Sequence, residues 1–190
     1  MKTRLKAQEP AKTDKRTIDT QLLKLCSACQ NNADELLKES RLLLTHGHHA
    51  RAYFLAYTAR EELCKAQVVA DFSKHRVTEP EFKKAFRNHT FKAAYLDRNV
   101  EIPEDWEDDV WLITYDEESS KDAVSARERS LYVEFRPDHS PQVPQETFST
   151  ESVEKFLSGV EKYLSEIRKR EYITGGIGTE AFVKNTHGVE

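Results

Sequence analysis

From Ile18 to Leu43 the apolar residues fall three, four or seven apart, at Ile18, Leu22, Leu25, Cys29, Ala33, Leu36 and Leu43, and Leu23, Cys26 and Leu37 widen the stripe. At about 3.6 residues per turn this spacing gathers them on one helical face, which predicts a single long helix from near Thr17 to Thr45. Gly47 then stands where a residue with positive φ closes a helix without a Cβ penalty, so His46-Gly47-His48-His49 reads as a turn. The chain holds only six Gly and six Pro in 190 residues. That is too few for an all-β sandwich or barrel, which needs turn chemistry every ~8–12 residues. The fold class expected is an all-α helical bundle.

The next segment, Ala50 to about Lys74, carries small residues at Ala52, Ala56, Ala59, Ala66 and Ala70 with Leu63, and a second apolar line through Phe54, Tyr57, Cys64 and Val68. Apolar character on more than one side predicts a central helix, and small side chains let its neighbours approach closely. A Glu61–Lys65 pair in the favourable (i, i+4) orientation is expected to assist it. Thr78-Glu79-Pro80-Glu81 has the pattern of a capping box with Pro in the first turn, opening a helix that runs to between Asp97 and Asn99 with Phe82, Ala85, Phe86, His89, Ala93 and Leu96 inward. Residues 101–118 hold nine acidic residues and no Lys or Arg, which reads as a solvated loop that Trp106 and Trp111 dock in part onto the core. A polar helix from about Asp116 to Arg129 leads to Leu131-Tyr-Val-Glu-Phe135, a short extended segment, followed by irregular chain around Pro137, Pro141 and Pro144. The last helix starts near Thr150, with Val153, Phe156, Leu157, Val160, Leu164 and Ile167 on one face. The expected domain plan is a lead-in over 1–16, one helical domain over 17–171 and a tail over 172–190.

A mass of 22.0 kDa leaves room for one domain. The net charge of −4 confines any nucleic-acid contact to a local basic patch. The charged amino end reads as no secretory signal, and no stretch approaches the ~18 apolar residues of a membrane span. Three cysteines, an odd number, fit reduced thiols, and a cytoplasmic location is expected.

Several residue groups are candidates for chemistry. Cys26-Ser-Ala-Cys29 has zinc or redox half-site spacing but lies within a helix and lacks a second cysteine pair, so buried thiols are favoured, Cys64 among them. His46, His48 and His49 offer imidazoles at one turn, where a solvated turn is favoured over a metal site. Thr174-Gly-Gly-Ile-Gly178 lacks the Lys-Ser/Thr and the strand-to-helix setting of a phosphate loop. No cofactor or metal is expected. Arg127, Arg129 and Tyr132 either line a site or anchor the extended segment, anchoring being favoured. The informative group is Arg87-Asn88-His89 with Lys92. Arg neutralises phosphate, His moves a proton near pH 7, and Lys holds charge developing on a scissile phosphodiester. On a regular helix, at about 100° per residue, Arg87 and His89 point to nearly opposite sides, so they share a site only if the helix bends. A core-facing His89 is the competing reading.

The segment His46 to Ala66 (HGHHARAYFLAYTAREELCKA), then Phe86-Arg-Asn-His89 and Arg129-Ser-Leu-Tyr-Val-Glu-Phe135, resembles the AbiV family of abortive-infection proteins within the HEPN superfamily, in matching order over roughly residues 30–165. The resemblance implies a prokaryotic phage-defence protein with a HEPN-like bundle, frequently a homodimer. It implies action on RNA or the translation machinery, with a phage protein as activator, and no membrane. Many HEPN proteins are metal-independent ribonucleases that use an Arg, a polar residue after it, and a His four to six residues beyond the Arg. By resemblance Arg87 and Asn88 match the first two elements. The third departs, because residues 92–94 are Lys, Ala and Ala and the nearest His is His89. Arg41 to His46 has the bare spacing, but Leu42 stands where a polar residue belongs. The resemblance also makes Glu62, on the central helix, either an acidic residue orienting a basic partner or a simple partner of a neighbouring Lys or Arg. A noncatalytic binder of a phage or translation component is the alternative to a ribonuclease.

Overall fold

The stripe that begins at Ile18 folds as one helix, α1 (Lys15–Thr45), in a computed structural model that describes residues 15–99 and 117–174. The lead-in before Lys15, the acidic run with Trp106 and Trp111 up to residue 116, and the tail from residue 175 lie outside the described residues. Gly47 closes α1 at φ +78°, with Gly47 N–H donating to Leu44 O at 3.0 Å and His48 N–H to Leu43 O at 2.9 Å. This paired pattern satisfies the carbonyls that a helix end leaves open. An added Cβ at Gly47 would meet nothing within 4 Å, so substitution costs conformation alone. Gly47→Ala is expected to lose about 1 kcal/mol in urea denaturation, and Gly47→Asn less, since Asn tolerates the left-handed region.

The second helix, α2 (His49–Ser73), is the centre of the bundle. Ala52, Ala56, Ala59, Leu63, Cys64 and Val68 have no exposed surface. α1 runs along α2, and the last helix, α7 (Thr150–Thr174), packs on both. Val153, Phe156, Leu157, Val160, Leu164 and Ile167 of α7 all reach the core, as their spacing requires. α7 runs through Thr174, past the expected start of the tail at 172. Arg41 bridges α1 to α7, its Nη1 2.5 Å from Glu154 Oε1 and its Nη2 2.5 Å from Glu161 Oε2.

Where one helix is expected from the Thr78 cap to Asn99, there are two, α3 (Glu79–Ala85) and α4 (His89–Asn99). The start is as expected, with Thr78 N–H donating to Glu81 Oε2 at 2.9 Å. α5 (Glu117–Arg129) follows, then β1 (Glu134–Phe135), which pairs antiparallel with β2 (Pro141–Gln142) in the register Glu134 to Gln142 and Phe135 to Pro141. The stretch expected as irregular therefore contains a hairpin strand and a single helical turn, α6 (Pro144–Thr147). Proline suits both, at a ladder edge and at a helix start. Among the described residues no helix is long and apolar enough to cross a membrane.

Candidate functional site

The break between α3 and α4 is made by Asn88. Its Oδ1 accepts the N–H of Phe91 at 2.7 Å, an N-cap that starts a new helix and ends the old one at Ala85. Phe86, Arg87 and Asn88 form the corner, with the N–H groups of Arg87 and Asn88 both donating to Lys84 O. Arg87 and His89 therefore sit on two different helical frames, and the regular-helix geometry that would point them apart does not apply. Arg87 is exposed, and its side chain has no partner among the described residues.

At the first turn of α4, His89 and Lys92 share one carboxylate. His89 Nδ1 donates to Glu61 Oε1 at 2.5 Å, and Lys92 Nζ donates to Glu61 Oε2 at 2.9 Å. Glu61 and Lys92 are about as buried as core leucines, with side chains 4% and 5% exposed, whereas the His89 side chain is 43% exposed. His89 is thus neither a core-facing residue nor a free surface one. Because a carboxylate only accepts, the bond fixes the proton on Nδ1 and leaves Nε2 as the ring's basic nitrogen.

As a member of the site Glu61 escaped the sequence reading, which expected it paired with Lys65. The structure corrects this: Lys65 pairs with Glu62 at 2.5 Å, and Glu61 turns inward. Of the two roles open to Glu62, the contact seen is the one to a neighbouring lysine. The signal for Glu61 lay in the apolar line Phe54, Tyr57, Cys64 and Val68, whose gap of three and four residues on either side falls at position 61. A carboxylate in such a row is buried, and a buried carboxylate needs partners. The structure therefore brings His89 and Lys92 together on Glu61 of α2, sets Asn88 at the start of α4 as its cap, holds Glu62 on Lys65, and leaves Arg87 at the corner facing solvent.

The other candidates are placed elsewhere. Arg41 is held by Glu154 and Glu161, and His46 Nδ1 lies 2.8 Å from Leu42 O. His49 Nε2 lies 3.0 Å from Thr150 Oγ1, and no group of three His, Cys, Asp or Glu able to hold a metal occurs among the described residues. Cys26, Cys29 and Cys64 are buried free thiols. Burial is the main cause that pushes Cys26 up to about 12 and Cys29 to about 11, which keeps both protonated and unreactive at neutral pH.

An all-α bundle with a long first helix and a buried central one has the architecture of a HEPN-like protein. Residues 21–165 match the family model HEPN_AbiV, described as AbiV. The chain belongs to the AbiV family of the HEPN superfamily, which places it among HEPN-type abortive-infection proteins. No curated protein and no solved structure matches the chain.

Proposed function

We propose that this protein blocks phage propagation by impairing translation, and that it does so as a metal-independent endoribonuclease working through Arg87, Asn88, His89 and Lys92. The single observation that carries the reading is the Glu61 clamp, which holds a half-exposed imidazole by Nδ1 and leaves Nε2 for proton transfer. In this mechanism Nε2 takes the proton of a ribose 2′-hydroxyl, the oxygen attacks the adjacent phosphorus, the bond to the 5′-oxygen breaks, and the departing 5′-oxygen takes up a proton from water while Nε2 returns its own to solvent. The products are a 2′,3′-cyclic phosphate and a 5′-hydroxyl. Arg87, exposed at the corner two residues away, neutralises the phosphate. Lys92 is a positioning residue, since its ammonium is spent on Glu61. Asn88 starts the helix that presents His89. A two-fold homodimer in the cytoplasm, released by a phage protein, would set two such clusters in one groove.

A second reading, a noncatalytic binder of a phage or translation component, is favoured by one observation. Tyr132, Val133 and Phe135, on and beside the hairpin, are 61–75% exposed. Incubating the purified protein with total RNA and tRNA, with and without EDTA, separates the two readings. Cleavage that resists EDTA and falls at least ~100-fold in His89→Ala, with an unchanged melting temperature, is the expected result. Arg87→Ala should lose cleavage too. Intact RNA, with phage protection retained by His89→Ala cells, would establish the binder instead.

A further inference from the structure

The corner between α3 and α4 carries a cation beyond the one that neutralises the reacting phosphate. Lys83 and Lys84, in the last turn of α3, are both exposed. Lys83 is tied to Glu79 at 2.6 Å. Lys84 pairs with no carboxylate among the described residues, because Glu81, one turn back, is held at the cap by the N–H and hydroxyl of Thr78. Its ammonium lies instead 5.3 Å from the centre of the Phe91 ring on α4. A ring face steadies an ammonium there without supplying the oxygen acceptors that its N–H donors match best.

Backbone bonds fix where this ammonium stands relative to Arg87 and His89. Lys84 O accepts the N–H of Arg87 at 3.0 Å and that of Asn88 at 2.9 Å, while Asn88 Oδ1 holds the N–H of Phe91. One turn of chain thus joins Lys84, Arg87 and the start of α4. At about 100° per residue, His89 and Phe91 point to nearly opposite sides of α4, so the ammonium over Phe91 lies around the helix start from the imidazole. Lys84 is therefore set for a neighbouring phosphate and not for the one His89 serves. Lys92 cannot take that part, since Glu61 holds its buried ammonium.

We infer that Lys84 binds a backbone phosphate of single-stranded RNA flanking the one held by Arg87. The inference rests on the ribonuclease reading, since it assigns a second contact of the same substrate. A strand that meets both cations must turn about the start of α4. Unpaired RNA bends at each phosphodiester and can follow that turn, whereas an A-form duplex is stiff, so the corner selects unpaired RNA. An ammonium suits such a flanking contact because it acts as a point charge, without the fork geometry of Arg87.

The test uses the full chain carrying His89→Ala, so that RNA is held and not cut. Fluorescein-labelled single-stranded RNA, and a duplex of the same sequence, are followed by anisotropy across a salt series. Lys84→Gln is expected to weaken binding of the single strand by about 5–10-fold and to reduce the salt slope by about 0.7, with the melting temperature unchanged. Lys84→Arg, which keeps the charge, and Lys83→Gln, whose ammonium is engaged by Glu79, should each stay within about 2-fold of the parent. With His89 restored, Lys84→Gln should raise KM and leave kcat in place. Unchanged affinity and slope in Lys84→Gln, while the unmutated protein cleaves RNA, would overturn the contact and leave the ribonuclease reading standing. An equal loss in Lys83→Gln would reduce Lys84 to general surface charge and overturn it as well. A fall in kcat at constant KM would overturn the flanking assignment, and equal binding of the duplex would overturn the selection of unpaired RNA. Absence of RNA binding and cleavage in every form would overturn both readings together.

Discussion

Glu61→Leu is expected to lower the free energy of unfolding by about 3–5 kcal/mol, read by urea denaturation, because it strands the Lys92 ammonium in the core. Lys92 is 5% exposed and its one carboxylate partner among the described residues is Glu61, so neither solvent nor a second anion among them replaces what is lost. The penalty comes from an uncompensated buried charge and not from the worth of the pair itself. Removing both charges in Glu61→Leu/Lys92→Met should therefore return stability to near the starting value, since an apolar pair of similar volume replaces an ion pair at little cost. Under the ribonuclease reading, the double variant should still fail to cleave RNA, because His89 has lost the acceptor that orients Nδ1. A folded, stable and inactive double variant separates positioning from folding. A loss below about 1 kcal/mol in Glu61→Leu would show that Lys92 reaches water in solution.

The helices could be read because each carries its own periodicity. α1, α2 and α7 show apolar stripes that survive any context, and Leu22, Ala33, Val153 and Ile167 are buried where the spacing puts them, whereas Leu23, expected to widen the α1 stripe, is 48% exposed because it lies at the edge of the face that α2 and α7 cover. What escaped depends on one residue acting against its neighbours. The apolar line through Phe82, Phe86, His89 and Ala93 continues across the corner, so periodicity alone predicts one helix, while the cap that breaks it is the single side chain of Asn88. Local hydrogen bonding won over a continuous stripe, as short polar side chains at helix starts can. The site itself was half legible. Arg87, Asn88, His89 and Lys92 announce themselves by residue type, but the group that joins them comes from position 61, 28 residues away from His89. A Glu–Lys spacing of four is so common on helix surfaces that Glu61 and Lys65 looked self-sufficient. Only tertiary placement shows that Glu62 takes Lys65 and frees its neighbour for the core.

The same contrast between short and long side chains sets the cost of a hole in the bundle. Leu157→Ala is expected to lose about 3–5 kcal/mol, the upper part of the range for a buried leucine. Leu157 has no exposed surface and belongs to the main core cluster with Ala52, Ala56, Ala59, Tyr57 and Val160. Alanines on α2 are too short to swing into the vacancy, and Val is confined at χ1, so the cavity stays open and its lining loses contacts that nothing replaces. Leu22→Ala provides the control. It lies in the smaller cluster near the start of α1 and is 9% exposed, so water and its neighbours can fill part of the space. Its loss should be about 2 kcal/mol or less in the same urea titration. Equal losses at the two positions would mean that α7 shifts toward α2 when Leu157 is shortened, and that the alanine face of the central helix yields under load.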